Sequence, residues 1–244
     1  MRLILMLLLA AANLASADSL LIATEHFPPY QIEREQHVSG FVADKVIAML
    51  RQANLPYRLR AYPWQRAYNT VLATPESCLF SVTRTPEREA SFQWIGPLTH
   101  SEWTLYALRG RFIPFRSLDD VRHLRIGTYY SDVRDSYLRQ RNMKVDAAPQ
   151  DRDNIDKLLQ RRIDLWASDR FTANGLLLQR QLDTRIAPVL AFNRVELYLA
   201  CNRKLDAGVV KQLRQAMHQL QRDGNWRGIE QRYARWPDMP QHQP

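Results

Sequence analysis

The sequence lacks the short motifs of the common catalytic and nucleotide-binding sites. It contains no G-x-x-x-x-G-K-[ST], G-x-G-x-x-G, G-x-S-x-G or H-E-x-x-H segment. A P-loop, a dinucleotide-binding turn, a nucleophile elbow and a zinc-peptidase helix therefore have no local support. The six histidines are scattered, with no pair at metal-ligand spacing. These absences weigh against an enzyme, and neither a metal nor another cofactor is expected.

Long apolar runs are also scarce. The run at 3–12 covers about ten residues, whereas a membrane-spanning helix needs roughly 20. It follows Met1-Arg2 and precedes Ala15-Ser16-Ala17. This arrangement predicts a secretory signal peptide at 1–17, cleaved after Ala17, with an uncleaved membrane anchor as the alternative. The short signal is of bacterial type, so the mature chain is expected in the periplasm.

The basic residues form no block. The chain has 34 Lys+Arg against 25 Asp+Glu and a formal charge of +9, which removal of Arg2 lowers by one. Such a balance first suggests nucleic acid, an acidic membrane or an anionic substrate. Because the charges are spread along an exported chain, nucleic acid is not an expected partner. Most of these residues are interpreted as solvated surface, with a few as anion contacts.

Cysteine is nearly absent. Cys78 and Cys201 are the two in the sequence. In an oxidising compartment they can form a disulfide, and two buried free thiols are the alternative. A chain of 244 residues buries a sizeable core without such a crosslink.

Apolar periodicity predicts an α/β protein. Strands and helices alternate in the first third of the chain, with strands at 19–24, 57–62 and 78–83 and helices at 40–53 and 63–72. After a loop, further strands are predicted at 103–108, 125–128, 163–168 and 195–201. Helices are predicted at 153–161, along the spacing from Val209 to Leu220, and at 226–234. Alternation of this kind is typical of parallel sheets flanked by helices.

Several segments together resemble one known family. They are Phe27-Pro28-Pro29-Tyr30 with Gly40-Phe41-x-x-Asp44, then Ser81 to Arg88 leading into Phe92 to Pro97, then Arg162 to Asp169, and finally Asp223-Gly224-Asn225-Trp226 with Tyr233. In order and spacing they are similar to the family 3 extracellular solute-binding proteins. These are periplasmic binding proteins, typically for polar amino acids. The resemblance covers essentially the whole mature chain.

The resemblance implies a two-lobed clamshell fold, the type II periplasmic-binding-protein fold. Each lobe has a parallel-type sheet with flanking helices. Lobe 1 is expected at 18–100 plus 197–236 and lobe 2 at 101–196, with a loose tail at 237–244. Two strands cross between the lobes as a hinge, and the ligand lies at the carboxyl ends of the strands. In this fold the strands of Cys78 and Cys201 are antiparallel neighbours, which favours a disulfide between them.

The resemblance also implies roles for individual residues. Arg88 matches the arginine that clamps the ligand carboxylate, a task suited to the planar fork of a guanidinium. Ser81 and Thr83 match positions that contact the same end of the ligand. Asp169 matches the carboxylate that pairs with the ligand ammonium, although an aspartate just after a strand also serves as a helix N-cap. Phe27 is expected on one side of the ligand side chain.

Other positions complete this expected site. Trp64 matches the aromatic on the opposite side of the ligand from Phe27. The further candidates are Glu25, Tyr30, Arg66, Tyr129 and Ser131. One departure concerns the Gly-Thr pair that the family often has after the strand at Ile126, because here Ser131-Asp132 stands in its place. An aspartate capping those amides competes with a ligand anion.

The resulting hypothesis is a periplasmic receptor for a small polar ligand, anionic or zwitterionic. It acts as a monomer and presents the ligand to an ABC permease or a membrane sensor. Two alternatives stay open. One is a dehydratase-like enzyme on the same scaffold, with Glu25, Asp169 or Glu196 as acid or base. The other is a sensory or accessory protein with a degenerate cleft.

Overall fold

The computed structural model describes residues 19–111 and 115–233. The predicted signal peptide at 1–17 and the predicted tail at 237–244 lie outside the described residues. None of the described helices is long and apolar enough to cross a membrane.

Strands and helices alternate through the described chain. The strands are β1 (Leu20–Thr24), β2 (Ile32–Arg34), β3 (His37–Ser39), β4 (Tyr57–Ala61), β5 (Ser77–Thr83), β6 (Phe92–Leu108), β7 (Arg125–Tyr129), β8 (Lys144–Ala148), β9 (Leu165–Asp169) and β10 (Ile186–Asn202). The helices are α1 (Phe41–Gln52), α2 (Trp64–Ala73), α3 (Pro86–Glu89), α4 (Val133–Arg139), α5 (Asp153–Leu159), α6 (Arg170–Gln179), α7 (Ala207–Arg222) and α8 (Asn225–Arg232), with a 3₁₀ turn at Asp119–Val121.

Eight of these strands form one mixed sheet in the order β4-β1-β5-β10-β6-β9-β7-β8. Strands β1, β4 and β5 are mutually parallel, and so are β7, β8 and β9. β10 runs antiparallel to β5 and β6, and β6 runs antiparallel to β9. The parallel strands of the two halves therefore point in opposite directions, so their carboxyl ends face each other across the middle of the molecule.

The two halves of the sheet have separate hydrophobic cores on both faces. In the β4-β1-β5 half, Ile22 packs with α1 and α7 on one face, while Ala23 packs with α2 on the other. In the β9-β7-β8 half, Ala167 lies in the core with α4, while Trp166 packs with α5 and α6. Neighbouring residues of one strand thus face different cores, as expected for parallel strands covered on both sides.

Two 17-residue strands connect the halves, and here the predicted boundaries were wrong. β6 begins at Phe92 and β10 at Ile186, well before the predicted starts at 103 and 195. Gly96 and Pro97 are residue types that commonly end strands, but here Thr99 pairs with Leu197 and the ladder resumes where Ile95 pairs with Leu199. A β-bulge at this step holds the proline within the strand. Pairing with β10 therefore overrides the local turn signal.

The elements not predicted from the sequence are the β2–β3 hairpin, the one-turn helix α3, β8 and α6. The hairpin and β8 are short, and exposed positions interrupt their apolar pattern. In α6 the buried residues include Thr172 and Gly175, so the apolar spacing of an amphipathic helix is weak. The predicted helices at 40–53 and 63–72 agree with α1 and α2 to within one or two residues.

The predicted crosslink is present between β5 and β10. Cys201 lies opposite Cys78 in the antiparallel ladder, and the two sulfurs are bonded at 2.04 Å. Both residues are fully buried in the core of the first half of the sheet. The disulfide is therefore confirmed, and the alternative of two free thiols is ruled out.

Candidate functional site

A cavity lies between the two halves of the sheet, where the carboxyl ends of β1, β5 and β7 converge. It encloses about 370 Å³ of space, part of which is open to solvent. Residues from both halves line it: Glu25, Phe27, Trp64, Ser81, Thr83, Arg88, Ser101, Trp103, Tyr129, Asp132, Val133, Arg134 and Leu197. Seven of the eleven predicted site residues are in this wall.

Arg88 lies in the wall and is half-buried at the end of the short helix α3. Its guanidinium carbon is 5.3 Å from the centre of the Trp64 ring and 5.4 Å from that of Tyr68. Nη1 donates a hydrogen bond to the carbonyl of Thr83 at 3.3 Å. No carboxylate pairs with Arg88 among the described residues, so most of its donors are available to a ligand.

The residues that follow β1 and end β5 surround Arg88. Ser81 has a φ of 62° and donates its hydroxyl to Oε1 of Gln31 at 2.7 Å, which turns this hydroxyl away from a ligand role. Thr83 is buried at the end of β5. Phe27 stacks on Tyr30, with ring centres 4.8 Å apart and planes 9° apart.

Trp64 lines the cavity and bridges the two halves of the sheet. Its indole Nε1 donates to the carbonyl of Ser131 at 3.0 Å, which joins the start of α2 to the loop before α4. The side chain of Ser131 is exposed and is not part of the cavity wall. The contact of Ser131 with Trp64 is therefore made by its backbone, which has a φ of 62°.

Asp169 is fully buried as the N-cap of α6. One carboxylate oxygen accepts from the amide of Thr172 at 3.0 Å, and the other accepts from the hydroxyls of Tyr30 and Ser101 at 2.8 and 2.7 Å. Burial raises its pKa above the ordinary value. The structure thus shows the N-cap, and Asp169 is not in the cavity wall, so its pairing with a ligand ammonium stays a prediction.

Two further predicted residues lie outside the wall. Tyr30 is fully buried, and its hydroxyl donates a hydrogen bond to Asp169. Arg66 is exposed, and its guanidinium carbon lies 4.9 Å from the centre of the Tyr62 ring. Glu196, an acid/base candidate of the enzyme alternative, hydrogen-bonds to Tyr198 and is also outside the wall.

The second half of the sheet contributes a buried charged cluster. Asp132 caps α4, as predicted, by accepting from the amide of Arg134 at 2.9 Å. The same oxygen accepts from Nε of Arg134 at 2.7 Å, so the aspartate charge that was expected to oppose a ligand anion has a cationic partner. Nη2 of Arg134 lies 4.0 Å from Asp151, and its guanidinium carbon is 5.4 Å from the Tyr129 ring centre.

Glu25 faces this cluster from the end of β1. The hydroxyl of Tyr129 donates to its carboxyl oxygen at 3.4 Å. Burial, followed by the charge of Asp132, raises the pKa of Glu25 to about 8, against the opposing effect of Arg134. Burial also raises the pKa of Tyr129 well above the usual range. At neutral pH both groups are therefore mainly protonated and can donate hydrogen bonds.

Sequence reasoning did not find five of the wall residues: Ser101, Trp103, Val133, Arg134 and Leu197. Three of them lie on β6 and β10, whose crossing beneath the cavity depends on tertiary pairing. Arg134 comes two residues after the predicted N-cap at Asp132, and that position was the one available signal. Among the described residues, no group of three or more His, Cys, Asp or Glu side chains is placed to hold a metal ion.

Solved structures define the class of fold. A histidine kinase sensor domain with similarity to periplasmic binding proteins superposes with a TM-score of 0.81 at 16% identity, covering 91% of this chain and 96% of that one. The arginine-, lysine-, histidine-binding protein ArtJ from Geobacillus stearothermophilus gives a TM-score of 0.77 at 16% identity, covering 91% and 97%. The chain therefore has the α/β periplasmic-binding-protein fold.

The sequence places the chain within that class. The family model of the bacterial extracellular solute-binding proteins, family 3, matches residues 20–235, so the chain belongs to this family. The L-cystine-binding protein TcyJ of Escherichia coli is 23% identical over 215 residues, which cover 85% of this chain and 79% of that protein. The resemblance inferred from the motifs is thereby confirmed.

Proposed function

We propose that this solute-binding protein captures a small amino-acid-like solute, bearing a carboxylate, in the cavity between the two halves of its sheet. In this proposal the lobes are the ranges expected from the sequence, 18–100 plus 197–236 and 101–196, and closure of one on the other encloses the solute. TcyJ and ArtJ are both named for amino acids that they bind, which supports this class of ligand.

The observation that carries the proposal is the environment of Arg88. A guanidinium in a cavity wall, stacked on two aromatic rings and without a carboxylate partner in the described chain, has a planar pair of donors for a ligand carboxylate. Phe27 and Trp64 line the same wall and exclude water, which strengthens the charged contact. In this proposal Thr83 and the backbone of Ser81 contact the same end of the solute, since the Ser81 hydroxyl donates to Gln31.

The solute is retained and handed on, without turnover. The protein acts as a monomer in the periplasm after cleavage behind Ala17, and its closed form is recognised by an ABC permease or a membrane sensor. Of the three acid/base candidates, Glu25 is the one that lines the cavity. Mass spectrometry after incubation with cyclic carboxylates and amino acids tests retention, because a dehydratase releases product whereas a binding protein returns the solute unchanged.

Calorimetric titration with the twenty amino acids and L-cystine tests the ligand class. For any amino acid that binds, Arg88→Lys should lower the affinity about 10- to 100-fold, because an ammonium cannot form the bidentate contact. Arg84→Lys is the matched control, since Arg84 lies in the same segment but pairs with Glu89 outside the cavity. Equal effects of the two substitutions would contradict the role of Arg88, and binding of no amino acid would contradict the proposed ligand class.

A further inference from the structure

Arg134 has a buried donor that nothing in the described chain satisfies. The residue is 2% exposed, and its Nη1 has no hydrogen-bond partner among the described residues. Leaving a buried donor of a charged group unpaired is costly, so such atoms in native proteins call for a specific explanation. Arg134 also lines the cavity, where a bound solute can supply the missing acceptor.

The position of this guanidinium is well determined by its neighbours. Nε is held by Asp132 at 2.7 Å, and Nη2 faces Asp151 at 4.0 Å. The ring of Tyr129 covers one side, with its centre 5.4 Å from the guanidinium carbon. The two carboxylates keep Arg134 charged, and Asp132 engages Nε, so the buried and unpaired Nη1 is the donor that a ligand acceptor can satisfy.

The groups beside Arg134 are donors as well. The hydroxyl of Tyr129 donates to Glu25, and Glu25 is itself mainly a neutral acid at neutral pH, since burial and the charge of Asp132 raise its pKa to about 8. The acid hydrogen of Glu25 is therefore the donor of this pair that is left for a solute. Asp132 is the acceptor on this side, and its Oδ1 is already engaged by the amide and Nε of Arg134. This side of the cavity therefore offers hydrogen-bond donors, and an acceptor on the solute complements it.

We propose that Nη1 of Arg134 binds a hydrogen-bond acceptor, a carboxylate or an amide carbonyl, on the side chain of the captured amino acid. Arg88 then binds the main carboxylate from the other half of the sheet, so the two arginines select solutes with an acceptor at each end. This assignment rests on the proposed function and makes Arg134 its specificity-determining residue.

Calorimetric titration with four probes tests the assignment: L-glutamate, L-glutamine, L-leucine and L-arginine. L-glutamate, L-glutamine or both should bind more tightly than the apolar and basic probes, and the comparison between these two separates a carboxylate from an amide carbonyl. Arg134→Lys should lower the affinity for the probe that carries the acceptor about tenfold or more, because the charge is kept while the Nη1 donor is lost. Arg139→Lys is the matched control, an exposed arginine of α4 paired with Asp135.

The pH dependence supplies a second readout that does not depend on the folding of an Arg134 variant. The groups that act on Glu25 are Asp132, Arg134, Asp151 and Tyr129, and Arg88 lines the same cavity from the other side. Ionisation of Glu25 replaces a donor with a negative charge. The affinity for L-glutamate should therefore fall about tenfold between about pH 7 and about pH 9. Glu25→Gln should flatten this profile, which separates Glu25 from the titration of the amino acid itself.

The results that would overturn the assignment differ from those that would overturn the function. If L-leucine or L-arginine binds most tightly, or if Arg134→Lys and Arg139→Lys act alike, amino-acid binding stands and the role of Arg134 is refuted. An affinity for L-glutamate that rises with pH in the wild-type protein refutes it too. If no amino acid binds, the proposed function fails and the role of Arg134 fails with it.

Discussion

Removal of the disulfide should destabilise the protein strongly. Cys78 and Cys201 are separated by 123 positions, and the loop that they close contains β6 to β9 and most of β10. In the chain-entropy description, a crosslink over a loop of that length restricts the unfolded chain by about 5 kcal/mol at room temperature. We therefore expect Cys78→Ala/Cys201→Ala to lower the free energy of unfolding by about 3–5 kcal/mol.

Urea denaturation followed by circular dichroism measures this loss, and a thermal scan should show a midpoint lower by roughly 10 °C. The matched control is the wild-type protein unfolded in the presence of a reductant, because it keeps both sulfurs in the core and loses just the crosslink. Both samples should lose similar stability. The buried disulfide is outside the cavity wall, so solute affinity should change little.

Two results would refute this reasoning. A loss below about 1 kcal/mol in both samples would mean that the unfolded chain gains little freedom without the crosslink. A large loss in the alanine variant, with none in the reduced wild-type protein, would assign the effect to packing around the two fully buried side chains.

Three further predictions concern the cavity and its supports. The unfolding free energy of the solute-free protein should fall as pH rises from about 4.5 to about 8, because Glu25 keeps its proton in the folded protein and loses it in the unfolded chain. Urea titrations across that pH range measure this fall, and Glu25→Gln should remove the part of it that Glu25 causes. Trp64→Phe should weaken solute binding about fivefold in calorimetry, since the hydrogen bond to the Ser131 carbonyl is lost while most of the aromatic surface stays. An unchanged affinity would show that this hydrogen bond does not contribute to solute binding. Gly40→Ala should lower the free energy of unfolding by more than about 1 kcal/mol in urea denaturation, because φ at this position is 117° and a Cβ would lie 2.7 Å from the Tyr30 carbonyl oxygen. An unchanged free energy of unfolding would contradict the close approach of residue 40 to that carbonyl.

Much of the fold could be predicted from local patterns. The apolar spacing of Val42, Val46 and Met49 predicts α1, and all three side chains are fully buried. Asp132 lies just after a short strand and caps α4 as expected. Signals of this kind act within one or two turns of chain, so the sequence alone suffices to show them.

The long strands and the charged wall of the cavity could not be predicted in this way. Gly96 and Pro97 indicate a turn, yet β10 pairs across them through a bulge. The hydroxyls of Tyr30 and Ser101, from distant parts of the chain, donate to the carboxylate of Asp169, and no local pattern around Asp169 indicates these partners. Arg134 resembles a surface arginine in the sequence, whereas in the fold it is enclosed by acidic side chains.

The sequence by itself determined the family and the α/β order of the elements, because motifs and apolar periodicity are properties of the chain. The family resemblance then implied the seven predicted residues that line the cavity. The tertiary structure decided which groups satisfy one another. The Cys78–Cys201 pairing, the two hydroxyls that Tyr30 and Ser101 bring to Asp169, and the unpaired Nη1 of Arg134 depend on segments distant in sequence lying side by side. A buried polar group takes its chemical role from the partners that the fold brings to it, and the sequence does not state those partners.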